Sequence, residues 1–421
     1  MSFIQTLKTS DGLRFSILTL GSYMLAALLA AVTIIVISRF LGPVDFALFS
    51  TAMALSMIIN QFNSFGLSVV IQKYVGGSHQ SERISRFLSV CLRYRLFLSL
   101  LITSLGLIFA KQIAAYLQLD HQWLMVVTIL CSLAPTYFDS SQVTLQSLGK
   151  LKLAAINYLL PALLKFALAI LIFVFKWQSV ELILALYLLS TIPSIILAEW
   201  KLLPLVKYQL LGSFPKEEKL VLQMLKHSAF AVLALGLIDN VDLLIAKHYL
   251  SNYETGLLAG ASRIAMLLAV VSGALASVLF PRVAKYRDRS NLRNFLNKAW
   301  LVALLLLASM VAIPFLSPWL IKLSIGAAYL PANAALNLLL IAGVLNIISV
   351  VFTAPFYAFT SNRYFSLAAF LQLVLILLGN LLFVPTFGLM ASALTRLVVK
   401  IVLLLFTLLM LWMTWKKEFR R

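Results

Sequence analysis

The stretch FSILTLGSYMLAALLAAVTIIVIS, residues 15–38, decides the fold. It carries no charge over 24 positions and is closed by Arg14 and Arg39. A helix of that length rises ~36 Å, enough to cross a ~30 Å hydrocarbon core. It is also too long for the apolar core of a signal peptide, so no cleavable leader is expected. Working outward, the pattern recurs. The predicted spans are 14–38, 44–71, 87–110, 122–148, 153–175, 180–203, 228–250, 254–281, 298–321, 328–359, 364–384 and 387–415. Block 328–359 is longer than one crossing needs and contains Pro331 and Pro355, so it is expected to tilt or kink. The composition agrees. Of 421 residues, 62% are apolar and 11% charged, with a mean hydropathy of +0.99. A soluble domain carries ~25% charged residues. A secreted protein, a nucleic-acid-binding domain and a soluble enzyme are excluded.

The net charge of +20 reflects topology. With twelve spans, 25 of the 34 Lys and Arg residues fall on one side, in the termini and alternate loops. The opposite loops hold five (Arg39, Lys111, Lys176, Lys247 and Lys322), and four lie within spans. The positive-inside rule places the basic side, with both termini, in the cytoplasm. The outer loops have at most ~12 residues, too few to hold a catalytic domain. Cys91 and Cys131 lie in apolar blocks and read as small hydrophobes.

The chain reads as two lobes, 1–203 and 228–421, joined by a cytoplasmic connector, 204–227. In the connector, Ser213, Pro215, Glu217 and Glu218 signal a helix start. Leu220, Leu222 and Leu225 then read as a short membrane-surface helix or, equally, a solvated linker. Ile37, Asp45 and Lys73 of the first lobe align with Ile245, Glu254 and Lys285 of the second. Six spans per half give the halves one orientation, with an axis along the membrane normal and a substrate path expected between them. A transporter is the default class.

Ionisable groups at mid-bilayer cost at least ~2.5–3.5 kcal/mol and need a partner or a wet cavity. Asp139, Lys165, Asp239, Asp242, Arg263, Arg396 and Lys400 lie within spans. Asp139, Asp239, Arg263 and Arg396 sit ~14–17 Å from a predicted membrane face, near the midplane. Asp239 and Asp242 share one helix face, Arg396 and Lys400 another. One reading is a proton or sodium site at Asp239 and Asp242, with Asp139 as a further candidate, and an anion site at Arg263, Arg396 and Lys400. The other is fixed ion pairs, such as Asp242 with Arg263. Lys165 reads as a snorkelling lysine. Uncharged polar stripes (Ser56, Asn60, Asn63; Thr136, Gln142, Gln146; Asn346, Ser349, Thr353, Tyr357, Thr360) line a wet cavity able to accept sugar hydroxyls, or join helices. Asn60, Gln142, Asn346 and Thr353 are the candidates to face sugar. His79, His121, His227 and His248 show no ligand spacing, and no phosphate loop is present. No metal or other cofactor is expected, and the chain is not expected to be an enzyme.

Certain motifs resemble a family. Arg39-Phe-Leu-Gly-Pro43 followed by Asp45-Phe-Ala-Leu-Phe49 resembles the first outer turn of the polysaccharide-transport flippases. These include O-antigen and lipid-linked oligosaccharide flippases of the multidrug/oligosaccharidyl-lipid/polysaccharide exporter superfamily. Asn380-Leu-Leu-Phe-Val-Pro-Thr-Phe-Gly388 with Ala391-Ser-Ala-Leu-Thr395, and Asp242 with Glu254-Thr-Gly256 and Ala261-Ser-Arg263, are similar to its later spans. Ala47 and Leu258 depart from its common glycine and tyrosine. The resemblance implies an all-α, MATE-like membrane fold of two six-helix lobes in a bacterial inner membrane. It implies flipping of an undecaprenyl-diphosphate-linked glycan, driven by membrane potential or by a proton or sodium gradient. Arg39 joins the candidate cations for the diphosphate. Membrane lipids and polysaccharide-assembly proteins are the implied partners; nucleic acid is not one. A cation-coupled drug or metabolite exporter of the same superfamily is the alternative.

Overall fold

The computed structural model describes residues 11–76, 78, 80–119, 122–286, 288–358 and 362–419, without the side chains of 11–20, 227, 362, 363 and 417–419. His79, His121, Arg287 and Thr360 lie outside the described residues, as does the side chain of His227. Among the described residues there is no strand. In lipid a backbone must satisfy its own polar groups, and charge-free runs rich in Leu, Ala and Val do so as helices.

In chain order the helices are α1 (Asp11–Ser64), α2 (Leu67–Tyr74), α3 (Ser81–Ile108), α4 (Ala110–Tyr116), α5 (Gln122–Cys131), α6 (Leu133–Ser147), α7 (Leu151–Phe175), α8 (Val180–Leu189) and α9 (Ile192–Leu202). They continue as α10 (Pro215–Tyr249), α11 (Asn252–Val283), α12 (Arg289–Ser309), α13 (Ile313–Leu323), α14 (Asn333–Thr353), α15 (Pro355–Ala358) and α16 (Asn362–Phe419).

Among the described residues, ten runs are long and apolar enough to cross a membrane. Two of them, Gly21–Ser64 with 44 residues and Tyr364–Lys416 with 53, are ~66 and ~80 Å long, more than twice a ~30 Å core. Both break at one glycine: Gly42 (φ 69°, ψ 175°) and Gly388 (φ 64°, ψ −149°). The loop predicted at 39–43 is therefore a single-residue break at Gly42, and the one predicted at 385–386 is replaced by a break at Gly388, inside the predicted span 387–415. Only glycine enters that backbone region cheaply, and Pro43 is preset to restart the helix. Prolines divide other predicted spans. Block 122–148 is interrupted at Ser132 ahead of Pro135, and 180–203 at Ser190 and Thr191 ahead of Pro193. Block 298–321 passes through a 3₁₀ turn, Met310–Ala312, ahead of Pro314. The kink expected in 328–359 falls at Ala354, where α14 gives way to α15 at Pro355. Each proline removes one backbone donor and clashes with the preceding turn.

The chain forms two compact units. Unit 1 comprises 52–236 with the chain up to Ile37; unit 2 comprises Ser38–Thr51 with the chain from Leu237 onward. In unit 1 the connector is neither a separate surface helix nor a free linker. Pro215 opens α10, which continues unbroken to Tyr249. Val206, Val221 and Leu225 are buried with Leu67, Ile71, Phe87 and Cys91. The Lys207 and Gln209 amides donate to Ser85 Oγ (3.2 Å) and Ser89 Oγ (2.9 Å). Arg93 pairs with Glu218 and donates to the Gly212 carbonyl at 3.0 Å, and Arg86 lies 4.0 Å from Glu217. Apolar side chains such as Leu100, Phe173, Val311 and Phe315 are exposed, as lipid-facing positions require.

Candidate functional site: a polar centre in each unit

In unit 2, span 7 (the second half of α10) carries Asp239 and Asp242, and the last part of α16 carries Arg396 and Lys400, each pair one helical turn apart. The structure brings these two faces together. Arg396 holds Asp242 through two charge-assisted bonds, Nε to Oδ2 and Nη2 to Oδ1, the latter at 2.9 Å. Nη2 also donates to the Asp239 carbonyl at 3.2 Å. Asp242 is 3% exposed, and its Oδ1 also accepts the Leu243 amide. Its partner is thus Arg396. Asp239 is exposed and feels both Arg396 and Lys400 electrostatically. Lys400 Nζ donates to Gln372 Oε1 at 3.1 Å. Arg263, on α11, is half-buried, with Nη1 3.8 Å from Met266 Sδ.

The motifs quoted for the family resemblance meet in unit 2. Gly256 packs so closely on the Pro43 carbonyl that a Cβ there would collide with it. Glu254 closes a capping box with Ser251 and lies against Gly388. Tyr329 donates to the Ser38 carbonyl at 2.9 Å, and its ring meets Phe46 edge-on. Arg39 is exposed at this turn, its side chain beside Gly326. Elsewhere in the unit, Asn346 donates to Ser272 Oγ at 3.1 Å. Thr353 donates to the Ser349 carbonyl at 2.7 Å and lies 3.1 Å from the Tyr364 hydroxyl, which lies 2.7 Å from Thr407 Oγ1.

In unit 1, Asn60 donates to Asp139 Oδ2 at 2.7 Å, and one turn away Asn63 donates to Thr136. Gln142 donates to the Tyr23 hydroxyl and the Ala154 carbonyl and accepts from Asn157 at 3.0 Å. The Lys165 ammonium rests on the Tyr187 ring, 4.3 Å from its centre. In the connector, Tyr208 donates to Glu199; burial first, and that carboxylate second, push its phenol well above the ordinary tyrosine range. Asn60, Gln142, Asn346 and Thr353 therefore all have protein partners. Sequence reasoning missed Arg95, which charge sorting placed at the basic face. It is 1% exposed and close enough to Asp139 to act on its charge. Its signal was its place fourteen residues into α3.

Helices that cross a membrane in two units, each with buried charges on facing helices, define a multi-pass membrane protein with the fold of transporters and flippases. The chain belongs to the polysaccharide biosynthesis protein family, whose model matches residues 13–287. The fold is shared with "Lipid II flippase MurJ, inward closed conformation": TM-score 0.77 at 16% identity, covering 94% of this chain and 86% of that one. It is shared with an inward-facing multidrug resistance MATE family transporter of the MOP superfamily, at TM-score 0.75, 18% identity, and 95% and 99% coverage. A MOP superfamily transporter from Pyrococcus furiosus follows, at 0.56, 17%, and 95% of each chain. No curated protein matches.

Proposed function

We propose that this chain flips polyprenyl-diphosphate-linked oligosaccharide units across a bacterial inner membrane by alternating access, for surface polysaccharide synthesis. The observation that carries the proposal is family membership over residues 13–287, joined to a fold shared with a lipid II flippase over 94% of the chain. Twelve crossings, cytoplasmic termini and lobes at 1–203 and 228–421 belong to it. The substrate is an undecaprenyl-diphosphate glycan, and Arg39, Arg263, Arg396 and Lys400 are its candidate diphosphate ligands. Asn60, Gln142, Asn346 and Thr353 meet sugar by exchanging their present partners.

Coupling follows from the ion pair. Arg396 covers both oxygens of Asp242, so a cation reaches Asp242 only when the guanidinium leaves. An arriving diphosphate competes for Arg396, because a bidentate fork fits phosphate as well as carboxylate. The freed Asp242, with Asp239, then takes a proton or sodium ion; Asp139 is the corresponding carboxylate of unit 1. Deletion of the gene should trap lipid-linked sugar on the cytoplasmic leaflet and deplete surface glycan. Unchanged glycan with new drug sensitivity would replace this reading with the exporter.

A further inference from the structure

We propose that Arg95, in unit 1, is a seat for a phosphate or diphosphate group. The identity of its biological ligand as the lipid headgroup rests on the flippase reading; the seat itself rests on the following observations.

Arg95 lies ~21 Å along α3 from Ser81. It heads the fully buried side chains by size. Among the described residues its Nε, Nη1 and Nη2 have no hydrogen-bond partner. A buried guanidinium in that state costs several kcal/mol, so it calls for an acceptor that the described residues do not supply. Ser99 and Thr103 follow at one and two turns on the same face, and their hydroxyls also have no partner. Helical serines and threonines ordinarily donate to the carbonyl four residues back. Ser89, Thr128, Thr136 and Thr144 of this unit do so. Ser99 and Thr103 keep their protons available, giving a row of unused donors ~12 Å long.

The charge balance selects the ligand. The Asp139 carboxylate feels two cations, Arg95 and Lys165. It accepts from Asn60, and among the described residues Arg95 forms no ion pair. Among the described residues Asp139 is the carboxylate that acts on Arg95, and it also faces Lys165, so one positive charge is left over. Water could fill the hydrogen bonds but not balance that charge; an anion does both. Of anions, phosphate matches the guanidinium fork, with hydroxyl donors beside it. Tyr208 stands near enough to Arg95 to act on its charge, on a connector stretch without helix. That stretch is tied to α3 by the Lys207 and Gln209 amides.

The test uses the purified full chain in detergent micelles, with thermal unfolding read by tryptophan fluorescence. The probes are farnesyl diphosphate, inorganic pyrophosphate and farnesol. Wild type should be stabilised by farnesyl diphosphate and not by farnesol. Equal stabilisation by pyrophosphate would assign the seat to free phosphate species; its absence would assign it to a lipid headgroup. Arg95→Gln should weaken farnesyl diphosphate binding at least ~10-fold, the loss of one charge-assisted pair, with Arg95→Lys between. Without ligand, Arg95→Gln should melt no lower than wild type, since no hydrogen bond is lost. A lower melting point would mark a structural arginine and overturn the proposal. Undiminished binding by Arg95→Gln overturns the seat alone and leaves the flippase reading standing. No binding of any probe by wild type overturns the seat and counts against the flippase reading as well.

Discussion

Replacing Arg396 by Met leaves the Asp242 carboxylate, 4% exposed at its side chain, without its cation. Breaking a buried pair from one side costs ~3–5 kcal/mol. The Arg396 side chain is 31% exposed, which screens part of the attraction and brings the expected loss to ~3 kcal/mol. Asp242→Asn should cost less, ~1.5–2 kcal/mol, because the freed guanidinium can still reach the Asp239 carbonyl and solvent. If the two side chains act chiefly on each other, the double variant should fall short of the summed losses by ~2 kcal/mol. The assay is equilibrium unfolding of the four proteins by SDS titration in mixed micelles, followed by tryptophan fluorescence. Losses that add within ~0.5 kcal/mol would refute the reasoning, since the pair would then contribute nothing as a pair.

Gly256→Ala forces a Cβ into the Pro43 carbonyl, backbone against backbone, and should cost at least ~2–3 kcal/mol, read as lost folded yield on size-exclusion chromatography. Glu218→Lys removes the partner of Arg93 and should speed tryptic cleavage in 204–214 a few-fold, since a half-exposed pair is worth ~1 kcal/mol at most. Tyr364→Phe strips the hydroxyl that links Thr353 and Thr407 and should lower stability by ~1–2 kcal/mol in the same SDS titration. The raised phenol of Tyr208 stabilises the docked connector fully below the ordinary tyrosine pKa of ~10, and that contribution is lost as pH rises through the higher folded value. Hydrogen exchange at Lys207 and Gln209, corrected for its intrinsic pH dependence, should show protection falling only on the alkaline side.

The helices were legible because long charge-free runs leave the backbone one option in lipid. Their joints were less so. Gly42 and Gly388 turn the chain within one residue, whereas the predicted spans left 39–43 open at the first place and 385–386 at the second. Pro135, Pro193 and Pro314 cut spans that hydropathy shows as continuous, because hydropathy does not register a missing N–H. The shared faces of Asp239 with Asp242 and of Arg396 with Lys400 could be read from helical spacing. That Asp242 meets Arg396 and not Arg263 could not, since it depends on which helices pack together. Arg95 was hidden by its neighbours: beside Arg83, Arg86 and Arg93 it looked like one more cytoplasmic charge, yet it turns inward while Arg93 reaches Glu218.

The packing of Ser38–Thr51 has a consequence for biogenesis. The Tyr329 hydroxyl that secures Ser38 is made 291 residues later. At ~5–20 residues per second the ribosome needs roughly 15–60 s to deliver it. Throughout that interval Phe46, fully enclosed in the finished molecule, lacks the Tyr329 ring that it meets edge-on. A nascent polypeptide stopped short of Tyr329 therefore carries an unfinished seam near its beginning, a mark by which membrane quality control can tell a truncated product from a complete one.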